Sequence, residues 1–429
     1  MERIDRWLRA TRPVWVWTLR VALGAVFIAS GLGKSIDVWG TVYKMEEYLL
    51  LWGWSQPRTL MVMCAMGLCG AEFVLGCLLL LGAYRRTAVW LLTAMMAFML
   101  PLSLWIWVDN PVADCGCFGD MWVISNRATF WKNVAITAGL LCLWSSNRKV
   151  AGLVSPYSQW LVGAVLTIYV AAVALAGYNI QPLVDFRRFP QGVSLAGHDT
   201  EDGPEAEYAF IYENSAGERR KFSADSLPDS TWTFVDRELL SGTEDVTDGF
   251  AILDGGEDIT ADVIAGEGEQ LLVVVPEMMR VNPSHTYAIN TLDRYITGRG
   301  GVLTALLAPD RHGVDYWNDI SMADYPVYTV EPTLLKELVR GNVGLVYLVD
   351  GNIVWKRSLA SVDTAIFDKP DATHRLDTLM PPGPRALGHL TVALLIALGI
   401  IVTIDRTGVA ISWLWRRKNK KGRRNTPMA

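Results

Sequence analysis

Residues 60–108 read LMVMCAMGLCGAEFVLGCLLLLGAYRRTAVWLLTAMMAFMLPLSLWIWV. Two apolar runs, 60–84 and 88–108, flank the pair Arg85-Arg86, and Glu72 is the single acid in either run. Crossing ~30 Å of hydrocarbon at about 1.5 Å per residue takes ~20 residues, so each run is long enough to span a membrane as a helix. A surface helix of a soluble protein would carry a polar stripe at helical spacing. Neither run has one, and the first half of the chain is therefore read as a membrane helical bundle.

Working outward, four more stretches reach spanning length: 14–33, 129–144, 159–178 and 387–404. The fourth in chain order, 129–144, is the shortest. Orientation follows from Lys and Arg, which collect on the cytoplasmic side. The basic groups are Arg3, Arg6, Arg9 and Arg12; Arg85-Arg86; Arg148-Lys149; and the tail from Arg416-Arg417-Lys418 to Arg423-Arg424. With six spans all four groups fall on one side. Both termini are then cytoplasmic, and residues 179–386 lie outside, in the periplasm of a bacterial inner-membrane protein. The first segment has a basic start and small residues near Ala29-Ser30-Gly31, as a leader peptide does. Removing it would break the charge agreement, so it is expected to be a retained span.

The net charge of −5 averages two unlike parts. All six cysteines and most tryptophans fall before residue 180, whereas about 185–385 is acidic, turn-rich and cysteine-free. No Lys/Arg cluster in the outer part has a nucleic-acid footprint, which excludes that class of partner. Membrane lipid is the partner that the apolar half requires. In the outer part, 208–212 and 218–222 read as a hairpin, and 271–275, 302–307, 325–330, 345–349 and 353–356 as strands. Helical spacing falls on 283–297, 314–320 and 331–340. The expected divisions are 1–150, a four-helix membrane domain; 151–182, a fifth helix; 183–264, a β-rich segment; 265–385, an α/β domain; and 386–429, a sixth helix with a basic tail.

The chemistry concentrates in the outer loop Asp114-Cys115-Gly116-Cys117-Phe118-Gly119-Asp120. Two cysteines one residue apart can close a strained, labile disulfide or pair with a third thiol. They can equally be an ordinary structural staple. Cys64, ~6 Å below the outer surface by helical rise, is the candidate third thiol. Asp114 precedes the pair, and Lys132 and Asn133 lie near it at the start of the fourth span. No histidine precedes His198, so no metal site is expected. Glu72 and Arg20 come within ~3 Å in depth on the same ruler, which makes them a candidate intramembrane charge pair. Gly31-Leu32-Gly33-Lys34-Ser35 resembles the end of a phosphate-binding loop, but Ile28 stands where its first glycine belongs. Lys34 is expected at the outer interface, ahead of an amphipathic stretch around 43–54.

Residues 14–146 resemble the DoxX and MauE families of small four-helix membrane proteins. The resemblance rests on Phe27-Ile28-Ala29-Ser30-Gly31-Leu32-Gly33-Lys34, on Glu72 in its Ala-Glu-Phe-Val-Leu-Gly run, on Asp114 to Gly119, and on Phe130-Trp131-Lys132-Asn133. It implies a redox-associated membrane protein. Cys115 and Cys117 would then accept electrons from an exported or membrane-bound protein partner, with Cys64 as relay and a membrane quinone as acceptor. Residues 265–358 resemble a thioredoxin-like fold, with two departures. Pro276-Glu277-Met278-Met279-Arg280 holds no thiol where that family carries Cys-x-x-Cys, and Val343 stands where it has a cis-proline. The implied fold class is a mixed one, an all-α transmembrane bundle bearing an α/β thioredoxin-like domain. The implied activity is thiol–disulfide oxidoreduction. The alternative is a non-enzymatic envelope scaffold that docks partners on the cysteine-free domain.

Overall fold

The apolar runs are helices in the computed structural model, which describes residues 2–112, 114–196, 207–214, 219–223, 232–241, 250–254, 257–310, 313–367 and 376–424. The helices are α1 (Glu2–Ile36), α2 (Val38–Leu51), α3 (Arg58–Leu81), α4 (Arg85–Asp109), α5 (Asn126–Ser146) and α6 (Gln159–Asn179). With the C-terminal helix they form one compact unit, residues 1–186 and 381–429. Residues 187–380 form the other.

Glycine brings α1 and α3 together. A Cβ on Gly31 would lie 2.4 Å from the Phe73 backbone nitrogen, and one on Gly24 2.9 Å from the Leu80 Cβ. Bare backbone at these points permits close approach without a hydrophobic drive, as apolar helices in lipid require. The antiparallel register that results sets Ser30 beside Glu72 and Arg20 beside Gly82. Leu23, Phe27, Phe73, Leu78, Leu92, Leu140, Leu166 and Val170 fill the core between α1, α3, α4, α5 and α6.

Five helices among the described residues are long and apolar enough to cross a membrane: Thr11–Ile36, Arg58–Leu81, Arg85–Asp109, Gln159–Asn179 and Pro384–Trp415. Residues 129–144, expected as a sixth span, are helical within α5 but are not among the five. Asn126, Arg127, Lys132 and Asn133 with several threonines and serines dilute its apolar content. Even so, α5 runs antiparallel to α4 along its whole length. The Asn126 amide donates to Asn110 Oδ1 at 2.7 Å at one end, and Asn147 Nδ2 to the Arg85 carbonyl at 2.6 Å at the other. Arginines gather at that second end. Arg20 donates to Asn147 Oδ1 and to the carbonyls of Asn147, Val150 and Ala151, and Arg85 to those of Arg148 and Val150.

The strands of the second unit begin with β1 (Glu207–Asn214), β2 (Arg219–Ser223) and β3 (Trp232–Ser241), an antiparallel sheet in the order β2-β1-β3. The expected hairpin is therefore present as two paired strands; its turn, 215–218, lies outside the described residues. A two-stranded ribbon, β4 (Leu253–Asp254) and β5 (Glu257–Asp258), and a short helix α7 (Thr260–Val263) follow. Next come β6 (Glu269–Val275), α8 (Ser284–Thr297), β7 (Val302–Leu307), α9 (Gly313–Ser321), β8 (Val327–Thr329), α10 (Pro332–Leu338), β9 (Gly344–Val349) and β10 (Asn352–Ser358). The helix α11 (Pro384–Arg424) ends the chain.

These strands make a five-stranded sheet ordered β10-β9-β6-β7-β8, with β6, β7 and β8 parallel and β9 antiparallel to β6. The near-continuous apolar run of β6 has the pattern of a strand covered on both faces. Leu271, Val273 and Val275 meet α8, Trp317 and Trp355 on one side. Leu272 and Val274 meet Leu335 and Leu338 of α10, with Phe189 and Ile252, on the other.

Candidate functional site

The Cys115–Cys117 loop follows α4 and is held by hydrogen bonds at each residue. Gly116 at φ 66° and Gly119 at φ 59° occupy the left-handed region that glycine enters without penalty. The Asp114 carboxylate accepts from the Gly116 N–H at 2.7 Å, and Gly119 N–H donates to the Gly116 carbonyl at 3.1 Å. From α2, Tyr48 donates its hydroxyl to the Cys115 carbonyl at 3.0 Å, and Lys44 pairs with Asp114 at 3.3 Å. From α1, Ser30 donates to the Cys117 carbonyl at 2.6 Å. Gly33 lets the loop lie against that helix, since a Cβ there would stand 2.7 Å from the Phe118 carbonyl.

The thiols face one another, Cys115 Sγ 3.0 Å from Cys117 Sγ. The hydrogen bond from Cys115 holds Cys117 down at about 6 despite its burial, and the cations of Lys132 and Lys34 act in the same direction. Cys115 is pushed up by the same bond and by burial. A thiolate is the nucleophile in thiol exchange, so the loop presents one poised thiolate and one reserved thiol. Lys132 lies with Nζ 4.5 Å from the centre of the Phe118 ring, and Asn133 beside it is buried. The sequence-predicted neighbours Asp114, Lys132 and Asn133 are thus all at the loop.

Two other expectations are corrected. Arg20 does not pair with Glu72; its guanidinium is taken by Asn147 and by the carbonyls of Val150 and Ala151, beyond the end of α5. Depths counted from hydropathy boundaries misplace the α1–α3 register by about ten residues, or ~15 Å. Lys34 takes Arg20's part, and it is buried rather than at the interface. Its Nζ stands 2.8 and 2.9 Å from the two Glu72 oxygens, and Ser30 Oγ is 2.7 Å from Glu72 Oε2. An unpaired carboxylate at mid-membrane costs about 2.5–3.5 kcal/mol, which explains so complete a set of partners. Cys64, the candidate third thiol, is exposed on α3 and meets neither loop cysteine. Cys69 is the buried one, hydrogen-bonded with Thr41 and near Lys34.

Sequence reading missed Ser30, Lys34, Lys44 and Tyr48. Ser30 and Lys34 are one helical turn apart and therefore share a face, a signal present in the sequence. Only the register of α1 on α3 reveals what that face meets. Beside the thiols opens a cavity of about 380 Å³, lined by Lys34, Lys44, Tyr48, Trp52, Phe98 and Leu102 among others. Phe98 belongs to a spanning helix and is exposed, so this mouth faces lipid when α4 crosses the membrane. Among the described residues no cluster of His, Cys, Asp and Glu could hold a metal.

A bundle of apolar helices around a paired-thiol loop defines a multi-pass membrane protein. Residues 12–146 match the family model described as Methylamine utilisation protein MauE, which supports a MauE/DoxX-like membrane protein. Residues 206–240 match a second model, Domain of unknown function (DUF8463). No curated protein and no solved structure matches the chain.

Proposed function

We propose that this chain is a membrane thiol–disulfide oxidoreductase acting on exported proteins through Cys115 and Cys117. A substrate dithiol reduces the Cys115–Cys117 disulfide, leaving a substrate disulfide and two thiols on the loop. Two electrons and two protons then leave those thiols as their disulfide re-forms, and a membrane quinone is the acceptor. The observation that carries this reading is the pinned thiol pair, 3.0 Å apart, with Cys117 held at about 6.

The adjoining cavity suits a quinone ring. Trp52, Phe98 and Leu102 offer apolar surface, and Lys34, Lys44 and Tyr48 carry donors that a carbonyl oxygen accepts. Orientation follows the basic end of the bundle, which is cytoplasmic by the charge rule. The loop and residues 179–386 are then periplasmic, in a bacterial inner membrane. The sheet order β8-β7-β6-β9-β10 supports a thioredoxin-like domain that positions the partner, since it has no thiol of its own.

Differential alkylation and mass spectrometry in native membranes tests this, with and without a reductant of the quinone pool. A Cys115–Cys117 disulfide that opens as the pool is reduced supports the oxidoreductase. A fixed disulfide indifferent to the pool favours a second reading, an envelope scaffold. One observation favours that second reading. The Asn342 side chain bonds both the N–H and the carbonyl of Glu277, at 3.0 and 2.9 Å, and closes the place where a thioredoxin carries its thiols.

A further inference from the structure

We infer that the buried Lys34–Glu72 pair, joined through Ser30 to the Cys117 backbone, is a positioning device that sets the reactivity of the Cys117 thiol through opposed charges. The inference rests on Cys117 being the reactive thiol of the proposed reaction. Lys34, Glu72 and Ser30 line one small cavity together with Cys117, Lys132 and Asn133. Both charged side chains are nearly sealed from solvent, at 7% and 6% exposure, so their fields reach the thiol little screened.

Their effects oppose one another. Lys34 favours the Cys117 thiolate and Glu72 disfavours it. Paired, they largely cancel and leave Cys115 and Lys132 to hold the thiol down. Ser30 adds a mechanical link. Its single hydroxyl hydrogen lies between two acceptors, Glu72 Oε2 at 2.7 Å and the Cys117 carbonyl at 2.6 Å. Whatever moves the carboxylate therefore moves the peptide that carries the thiol. A pair serving only to fasten two helices has no need of such a link. The charged and titratable groups facing Cys117 are Lys34 from α1, Tyr48 from α2, Glu72 from α3, Lys132 from α5 and Cys115 in the loop.

The test is the pH dependence of Cys117 alkylation by iodoacetamide, read by mass spectrometry on the full chain, reduced, in lipid nanodiscs. Alkylation of the wild-type chain rises as pH passes up through about 6, because only the thiolate reacts. Glu72→Gln keeps the hydrogen-bonding shape and removes the anion, so the midpoint falls by about one pH unit, a tenfold rise in thiolate fraction below it. Lys34→Met moves the midpoint up by a similar amount, Lys34→Arg restores it, and the double variant Lys34→Met/Glu72→Gln lies near wild type. Shifts of the same sign from both single variants, or no shift from Glu72→Gln, overturn the inference. Should Lys34→Met not fold, Glu72→Gln and Lys34→Arg still decide it. A wild-type Cys117 that alkylates at no pH overturns the oxidoreductase reading, whereas a reactive Cys117 blind to both substitutions overturns this inference alone.

Discussion

The thiol with the lower pKa is the better leaving group, so it decides which sulfur of a disulfide is attacked. Cys117 is that thiol, because the Lys132 and Lys34 cations lower it and remain beside it when Cys115 is in a disulfide and cannot donate. An incoming substrate thiolate therefore attacks Cys115 Sγ, and Cys117 departs. Replacing Cys117 with Ser removes the thiol that would resolve the mixed disulfide. In that chain the mixed disulfide forms by the reverse exchange, Cys115 attacking a substrate disulfide and releasing a substrate thiol. A Cys117→Ser chain is thus expected to accumulate substrate on Cys115, at least about tenfold more than a Cys115→Ser chain accumulates on Cys117. Non-reducing mass spectrometry of chains isolated from membranes reads both amounts, and the reverse ratio would assign the attack to Cys117. The nearness of the two thiols was legible in the sequence, because a glycine between two cysteines lets the chain turn tightly enough to bring them together. Lys34 was not. A lysine near the end of an apolar run looks interfacial until the packing of α1 on α3 delivers Glu72 to it.

At the scale of elements, hydropathy and turn residues located the central helices and the strands of the five-stranded sheet to within about three residues. The first and last helices run well beyond the expected 14–33 and 387–404, and the strand Trp232–Ser241 was not expected. Registers between helices were beyond reach, since they depend on which glycines let backbones touch. Gly31 is the sharpest case, with Phe73 N 2.4 Å from the position of an added Cβ. Gly31→Ala must part α1 from α3 or bend one of them, at a cost of about 1–3 kcal/mol typical of overpacking. The same movement draws Ser30 from Glu72 and Cys117. The expected result is a lower thermal midpoint in detergent together with slower Cys117 alkylation near neutral pH. Gly163→Ala is the matched control, because nothing lies within 4 Å of its added methyl. Ala also forms helices better than Gly, so that variant should hold or gain stability. Equal losses in the two variants would mean that close approach at Gly31 does not hold the helices together.

Over the whole molecule, the sidedness of the chain turns on α5, the helix whose composition falls short of a membrane span. Its polar residues are explained by position: Asn126 bonds Asn110 and Val112 just past α4, and Lys132 and Asn133 lie at the thiol loop. A helix can cross a membrane with such residues when they face protein instead of lipid. Its two ends meet the two ends of α4, so wherever α4 crosses, α5 returns. Residues 147–150 then share a side with Arg85, and the basic character of both predicts that this side is cytoplasmic. The prediction is made with single cysteines in a chain whose six native cysteines are replaced. A cysteine at Lys149 should react with a membrane-impermeant maleimide only after permeabilisation, and one at Asp120 should react in intact spheroplasts. Were Lys149→Cys labelled from outside, α5 would not cross, the loop would lose its separation from the basic end, and exported thiols could not be its substrate by this route.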